Sequence, residues 1–218
     1  MRKFFNRCRK GKKQKFLKEL LFTGLILLLG LGLGFLAKYI DSISLNRAVP
    51  WHGFLELTDM RNLLSRPGIW VFTGALIALY SARPFRASLN LIVFFIGMFV
   101  AYYWYSYLMF GFWPLYYMRA WFLIILLTPI AGYFIWYARG YGWFAVLMAA
   151  LLLGLMASLS ISFGMWYAYL TYPVEFVCAL LLLIFVNKRG WYLGFALVGA
   201  VLLAPIMSGV LPYVIGGL

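Results

Sequence analysis

Runs of about 20 apolar residues recur along this chain, each long enough to cross the hydrocarbon core of a bilayer as a helix. The first reads from Leu20 to Leu36. Inside hydrocarbon every backbone N–H and C=O needs an internal partner, so such a chain folds as a helix bundle or a closed barrel. Barrel strands alternate apolar and polar residues, whereas these runs are continuous. The reading is all-α, a polytopic membrane helix bundle. Charge agrees with it: 11% of the 218 residues are charged, against about 25% in a soluble domain.

Seven spans follow from the spacing of these runs. They read Leu20–Tyr39, then a short second run from the Ser65-Arg66-Pro67 start to Tyr80, then Ser88–Met109, Tyr116–Tyr137 and Gly142–Ser162. A sixth must begin near Met165 to cross before Asn187, which puts Pro173 inside it, and a seventh runs Trp191–Leu211. Ser65 is the candidate cap of the second run and Pro67 its first-turn proline. That run covers only about 21 Å at 1.5 Å per residue. The positive-inside rule supports it as a true span. With a cytoplasmic N-terminus, Arg83, Arg86, Arg139, Lys188 and Arg189 fall inside and Arg119 outside. Without the second crossing that pattern inverts. Gly30 and Gly34 share a face of the first helix and allow a neighbouring helix to approach closely.

Residues 1–19 form a basic tail with nine Lys/Arg and one acid, Glu19. Lys10, Lys12, Lys13 and Lys15 are its candidate lipid-binding residues, since anionic head groups attract such a block. Cytoplasmic retention accounts for the same charges, and nucleic acid is not the expected partner. The apolar run after the tail is too long for a signal-peptide core and no small-residue cleavage pattern follows, so it reads as a retained helix. The expected location is the cell (inner) membrane. Residues 20–218 form one transmembrane domain. Cys8 and Cys178 fall at different levels, which argues against a disulfide. One histidine and no Cys/His cluster exclude a zinc site.

Tyr102–Phe122 is the densest aromatic stretch, with 12 aromatic residues in 21. Its Gly111–Pro114 turn marks a helix end, a loop and a helix start at one membrane surface. Trp104, Tyr105 and Trp113 from this stretch, and Trp166, Tyr169 and Tyr172 from the sixth span, share the outer level. An interfacial aromatic belt accounts for most of them. A ligand pocket is the alternative. Glu175 is the only acid expected at hydrocarbon depth, about 18 Å from the inner end of the sixth helix. Such a carboxylate is a functional-site hypothesis by default. Pro173 would also free the Tyr169 carbonyl from its helical bond. Aromatic faces beside one carboxylate suit an organic cation or a flat heterocycle. The bland readings are a carboxyl bonded within the bundle, or a helix that begins at Pro173 and leaves Glu175 at the wet interface.

Residues 41–66 are the long polar loop, with an interfacial helix expected over Trp51–Leu64. Asp41, Glu56, Asp59 and His52 could line a lid over the pocket or ligate a cation; a solvated face is the plainer reading. No nucleophile triad, zinc motif or phosphate loop is present, and no cofactor is implied.

The chain's size, basic start, long loop after the first helix and outer aromatic stretch are broadly similar to the substrate-binding membrane subunits of energy-coupling-factor vitamin transporters. Those subunits usually have six helices and an Ala-x-x-x-Ala pattern in the first. Neither is found here, so no residue role is carried over. The leading expectation is a small-solute binding or transport component with an outward aromatic pocket. Glu175 anchors it with Tyr172, Tyr169, Trp166, Trp104, Tyr105, Trp113 and Asp41, and a partner ATPase or other membrane subunit supplies coupling. The alternative is a non-catalytic accessory protein that binds protein partners or anionic lipids. Enzyme function is not expected.

Overall fold

The computed structural model describes residues 8–42, 60–164, 166–186 and 190–215. It contains seven principal helices: α1 (Phe16–Ser42), α2 (Pro67–Tyr80), α3 (Pro84–Phe110), α4 (Leu115–Tyr137), α5 (Trp143–Ser160), α6 (Pro173–Val186) and α7 (Trp191–Ile215). One helical turn, Met60–Leu63, precedes α2. A hairpin joins α5 to α6, with β1 (Ile161–Phe163) antiparallel to β2 (Ala168–Leu170) and Ser162 opposite Tyr169. Five helices are long and apolar enough to cross a membrane. The chain is an all-α, multi-pass membrane bundle.

Local chemistry sets the helix ends. Pro67 and Pro84 stand in the first turns of α2 and α3, where a missing N–H costs nothing and φ is already helical. Gly111 ends α3 in the left-handed conformation at φ 74, its N–H bonded to the Tyr107 carbonyl. Pro129 lies inside α4 and cannot donate to the Ile125 carbonyl. The Thr128 hydroxyl donates to that carbonyl instead, at 2.7 Å.

Successive helices reverse direction. At the tail end, Lys12 N donates to Ala82 O and Tyr141 N to Cys8 O, which ties the tail to the turns after α2 and α4. Ring contacts add the other two helices to this end: Tyr80 with Phe185 at the foot of α6, and Trp143 with Tyr192 and Phe195 at the start of α7. At the far end, Lys38 of α1, Pro67 of α2, Phe110 of α3 and Pro114 before α4 line one cavity. Both α2 and α6 therefore run between the two ends in 14 residues each. That is about 21 Å, against a hydrocarbon core of about 30 Å.

Glycine sets the closest packing. A Cβ on Gly30 would overlap the Phe94 carbonyl oxygen, and one on Gly34 the Met98 carbonyl oxygen. Gly97 of α3 faces Leu27 of α1 in return, its notional Cβ 2.9 Å from the Leu27 carbonyl oxygen. The face expected from the spacing is thus the α1–α3 seam. One apolar core lies among α2, α5 and α6, around Leu79, Met156 and Leu182. A second lies among α1, α2 and α3, around Ile26, Trp70 and Phe94.

The tail end also holds a polar network. Glu19 is buried and bridges Arg83 and Arg86, each with an Nη2–carboxylate distance of 2.6 Å. The guanidinium of Arg9 covers the Trp136 ring and donates to the carbonyls of Trp136 and, at 2.9 Å, Leu79. Both carbonyls lie in the last turn of a helix, where no backbone partner exists. Burial, with Arg139 nearby, pushes the Arg9 guanidinium down to about 10, so it stays charged at neutral pH.

Three expectations are corrected. The sixth helix does not begin near Met165; a hairpin occupies 161–170 and α6 starts at Pro173. Gly164 weakens any helix there, the Ile161–Phe163 and Tyr169–Tyr172 runs suit strands, and a residue before proline prefers extended backbone. Pro173 consequently kinks nothing, and Tyr169 sits in β2 with no helical bond to lose. Second, Arg66 rather than Ser65 caps α2, and it makes no side-chain cap bond. Third, the helix ends move. α1 and α3 have 27 residues each, and α7 runs on to Ile215. The interfacial helix expected over Trp51–Leu64 falls mostly outside the described residues, as do His52, Glu56 and Asp59.

Candidate functional site

The far end of the bundle holds a partly open cavity of about 540 Å³ bordered by α1, α2, α3 and α4. Trp70, Tyr102, Tyr103, Phe110, Tyr117 and Trp121 supply most of its ring surface. The helix pattern puts them there. Tyr102, Tyr103 and Ser106 occupy adjacent positions one turn apart on α3, and Tyr117, Ala120 and Trp121 repeat that spacing on α4. Trp70 is held by its indole N–H, which donates to the Leu64 carbonyl at 2.8 Å.

Among the described residues Lys38 is the charged group in the cavity wall. Its Nζ lies 2.6 Å from Asp41 Oδ2, one turn further along α1. It also lies over two rings of the wall, 5.3 Å from the Tyr102 centroid and 5.1 Å from that of Phe110. This side chain is buried while Asp41 is a third exposed. The arrangement offers an ammonium donor inside an aromatic chamber, with its counter-ion at the rim.

Glu175 is elsewhere and is occupied. It stands in the first turn of α6, 1% exposed, about 17 Å above the tail-side end of that helix. That level matches the expectation; the surroundings do not. Oε1 lies 2.8 Å from Arg66 Nε, and the Arg66 guanidinium covers the Tyr172 ring at 4.1 Å. The side chain also rests on Gly68 in the first turn of α2. The carboxylate thus lies where two helix N-termini meet, and both favour negative charge. Neither Glu175 nor Tyr172 lines the cavity. The wet-interface reading fails as well, since the carboxyl is enclosed.

The other expected site residues disperse. Trp104 is exposed, Trp166 is 90% exposed and Tyr169 is half exposed on the hairpin. Tyr105 packs edge-on against Phe35, and Trp113 stacks on Tyr107. Asp41 touches the site only through Lys38. Among the described tail residues, Lys10, Lys12, Lys13 and Lys15 are all exposed.

Sequence reading overlooked Lys38, Arg66, Arg9 and the Glu19 bridge. Two signals were available. Lys38 and Asp41 have the i, i+3 spacing of a helical ion pair, and Glu175 two positions after Pro173 is a helix-start pattern. Among the described residues no three His, Cys, Asp or Glu side chains group to hold a metal ion. No protein-family model matches the chain, and neither a curated protein nor a solved structure is similar to it.

Proposed function

We propose that this protein is a small-molecule binding or transport component of a cell (inner) membrane, with its tail cytoplasmic and its site in the far-end aromatic cavity. The cavity itself carries the reading. Its volume lies in the range of ligand sites, about 300–1,000 Å³, and it combines apolar ring walls with a few polar groups. The chain has no energy-coupling domain in its described part, so net pumping would depend on a partner or an ion gradient. Filling the space tests the reading. In a compound screen read by thermal unfolding, a ligand that stabilises the wild type should fail to stabilise Ala120→Trp. Equal stabilisation of both would remove the cavity from the account.

A second reading, an accessory protein that binds membrane partners, draws support from Glu175. It is buried, paired with Arg66 and does not line the cavity. Purification from native membranes in mild detergent separates the two. Stoichiometric recovery with a biosynthetic or secretion complex favours the accessory role; recovery with an ATPase favours transport. In either role the exposed tail lysines would meet anionic head groups, at about 1 kcal/mol per residue. Replacing Lys10, Lys12, Lys13 and Lys15 with Gln should then abolish any extra stability in anionic over neutral nanodiscs.

A further inference from the structure

We infer that the cavity takes an amphipathic molecule with an apolar ring body and an oxygen acceptor, either a ring-borne carbonyl or a carboxylate, and that it rejects organic cations. The inference rests on the cavity being a ligand site and adds the chemistry of its occupant.

The polarity of the wall decides this. Among the described residues no acid lines the cavity, and the one charged lining residue is Lys38. An ammonium carries three donors and no acceptor. Asp41 takes one donor and the Tyr102 hydroxyl a second, which leaves one, and the ammonium also faces Tyr102 and Phe110 across the wall. A cationic ligand would lose its hydration beside a like charge, with no carboxylate among the described lining residues to offset the cost. The aromatic faces that could attract it are in part already engaged by Lys38. An oxygen acceptor instead gains a charge-assisted hydrogen bond, about twice as strong as a neutral one. The hydroxyls of Tyr102, Tyr103, Tyr117 and Ser106 can donate further bonds. The Trp70 indole N–H cannot, because the Leu64 carbonyl already holds it. Ring walls favour a flat body through stacked and edge contacts. Asp41, at the rim and partly exposed, can swing outward if a carboxylate takes its place.

Three probes of one shape test this on the full chain in nanodiscs: 2-acetylnaphthalene, 2-naphthoate and 2-naphthylmethylammonium. The readout is the shift in thermal unfolding midpoint relative to Ala120→Trp, which subtracts partition into lipid. The acetyl or carboxylate probe should raise the wild-type midpoint and the ammonium probe should not. Stabilisation by the acetyl probe alone identifies a carbonyl ligand, and stabilisation by naphthoate identifies a carboxylate. Lys38→Gln should weaken the effective acceptor probe about tenfold, the loss of one charge-assisted bond. If that variant does not fold, Lys38→Gln/Asp41→Asn removes both charges together and should show the same loss. Equal or greater stabilisation by the ammonium probe overturns the inference and leaves the ligand site standing. No shift with any probe overturns the inference as well. The site itself fails separately, if no compound of any class distinguishes wild type from Ala120→Trp.

Discussion

Glu175 rests directly on Gly68, so closely that a Cβ on the glycine would overlap the glutamate Cγ. Through this contact the N-termini of α2 and α6 converge on one carboxylate, with Arg66 as its counter-ion. At the other end of α2, Arg9 bonds the Leu79 carbonyl. Thus α2 meets an anion at its N-terminus and a cation at its C-terminus, as the helix dipole favours. Gly68→Ala should push the glutamate off its seat and destabilise the protein by about 1–3 kcal/mol. Chemical unfolding in detergent measures this, and an unchanged midpoint would show that the two helix starts are not in contact.

The Arg66–Glu175 pair makes a second prediction. Glu175→Gln keeps the shape but removes the negative charge 2.8 Å from a largely buried guanidinium nitrogen. Full burial would cost about 3–5 kcal/mol; Arg66 retains some exposure, so about 2–3 kcal/mol is expected. Arg66→Met/Glu175→Gln should recover part of that loss. Strict additivity of the two single variants in a double-mutant cycle would mean that the residues do not interact.

Glycines on α1 should divide by face. Gly30 and Gly34 meet the α3 backbone, whereas Gly24 and Gly32 meet nothing. Gly34→Leu should force α1 from α3 and reduce the folded yield sharply. Gly24→Ala and Gly32→Ala should be neutral or stabilising by up to about 1 kcal/mol, the helix propensity gained. The opposite ranking in detergent-resistance assays would place the α1 seam on the wrong face.

Arg9→Lys should not substitute for arginine. A planar guanidinium can reach two carbonyls while covering the Trp136 ring; an ammonium is a point charge. Both Arg9→Lys and Arg9→Ala are expected to destabilise, by about 1–3 kcal/mol, with lysine the milder. An effect confined to Arg9→Ala would reduce the role of this residue to charge alone.

The fold was largely legible from the chain because membrane helices announce themselves by run length, and the short second run is present as the 14-residue α2. Glycine spacing also indicated the α1–α3 seam correctly. The site was less legible. Aromatic density drew attention to the end of the molecule that holds the cavity, but it could not separate Tyr102, Tyr103 and Trp121, which line it, from Trp104, which faces outward. Helical phase and the α3–α4 angle make that division, and only packing fixes them. Glu175 drew attention as a lone intramembrane acid because its partner Arg66 is 109 positions away in sequence. Lys38, inside the expected first helix, was given no role there; only packing shows that it borders the cavity.

The most direct test of the central claim is native mass spectrometry of the protein extracted from its own membranes, wild type beside Ala120→Trp. A small molecule that stays bound to the wild type and is missing from the filled variant is the predicted result. The same adduct on both proteins, or none on either, would contradict a ligand site between α1, α2, α3 and α4.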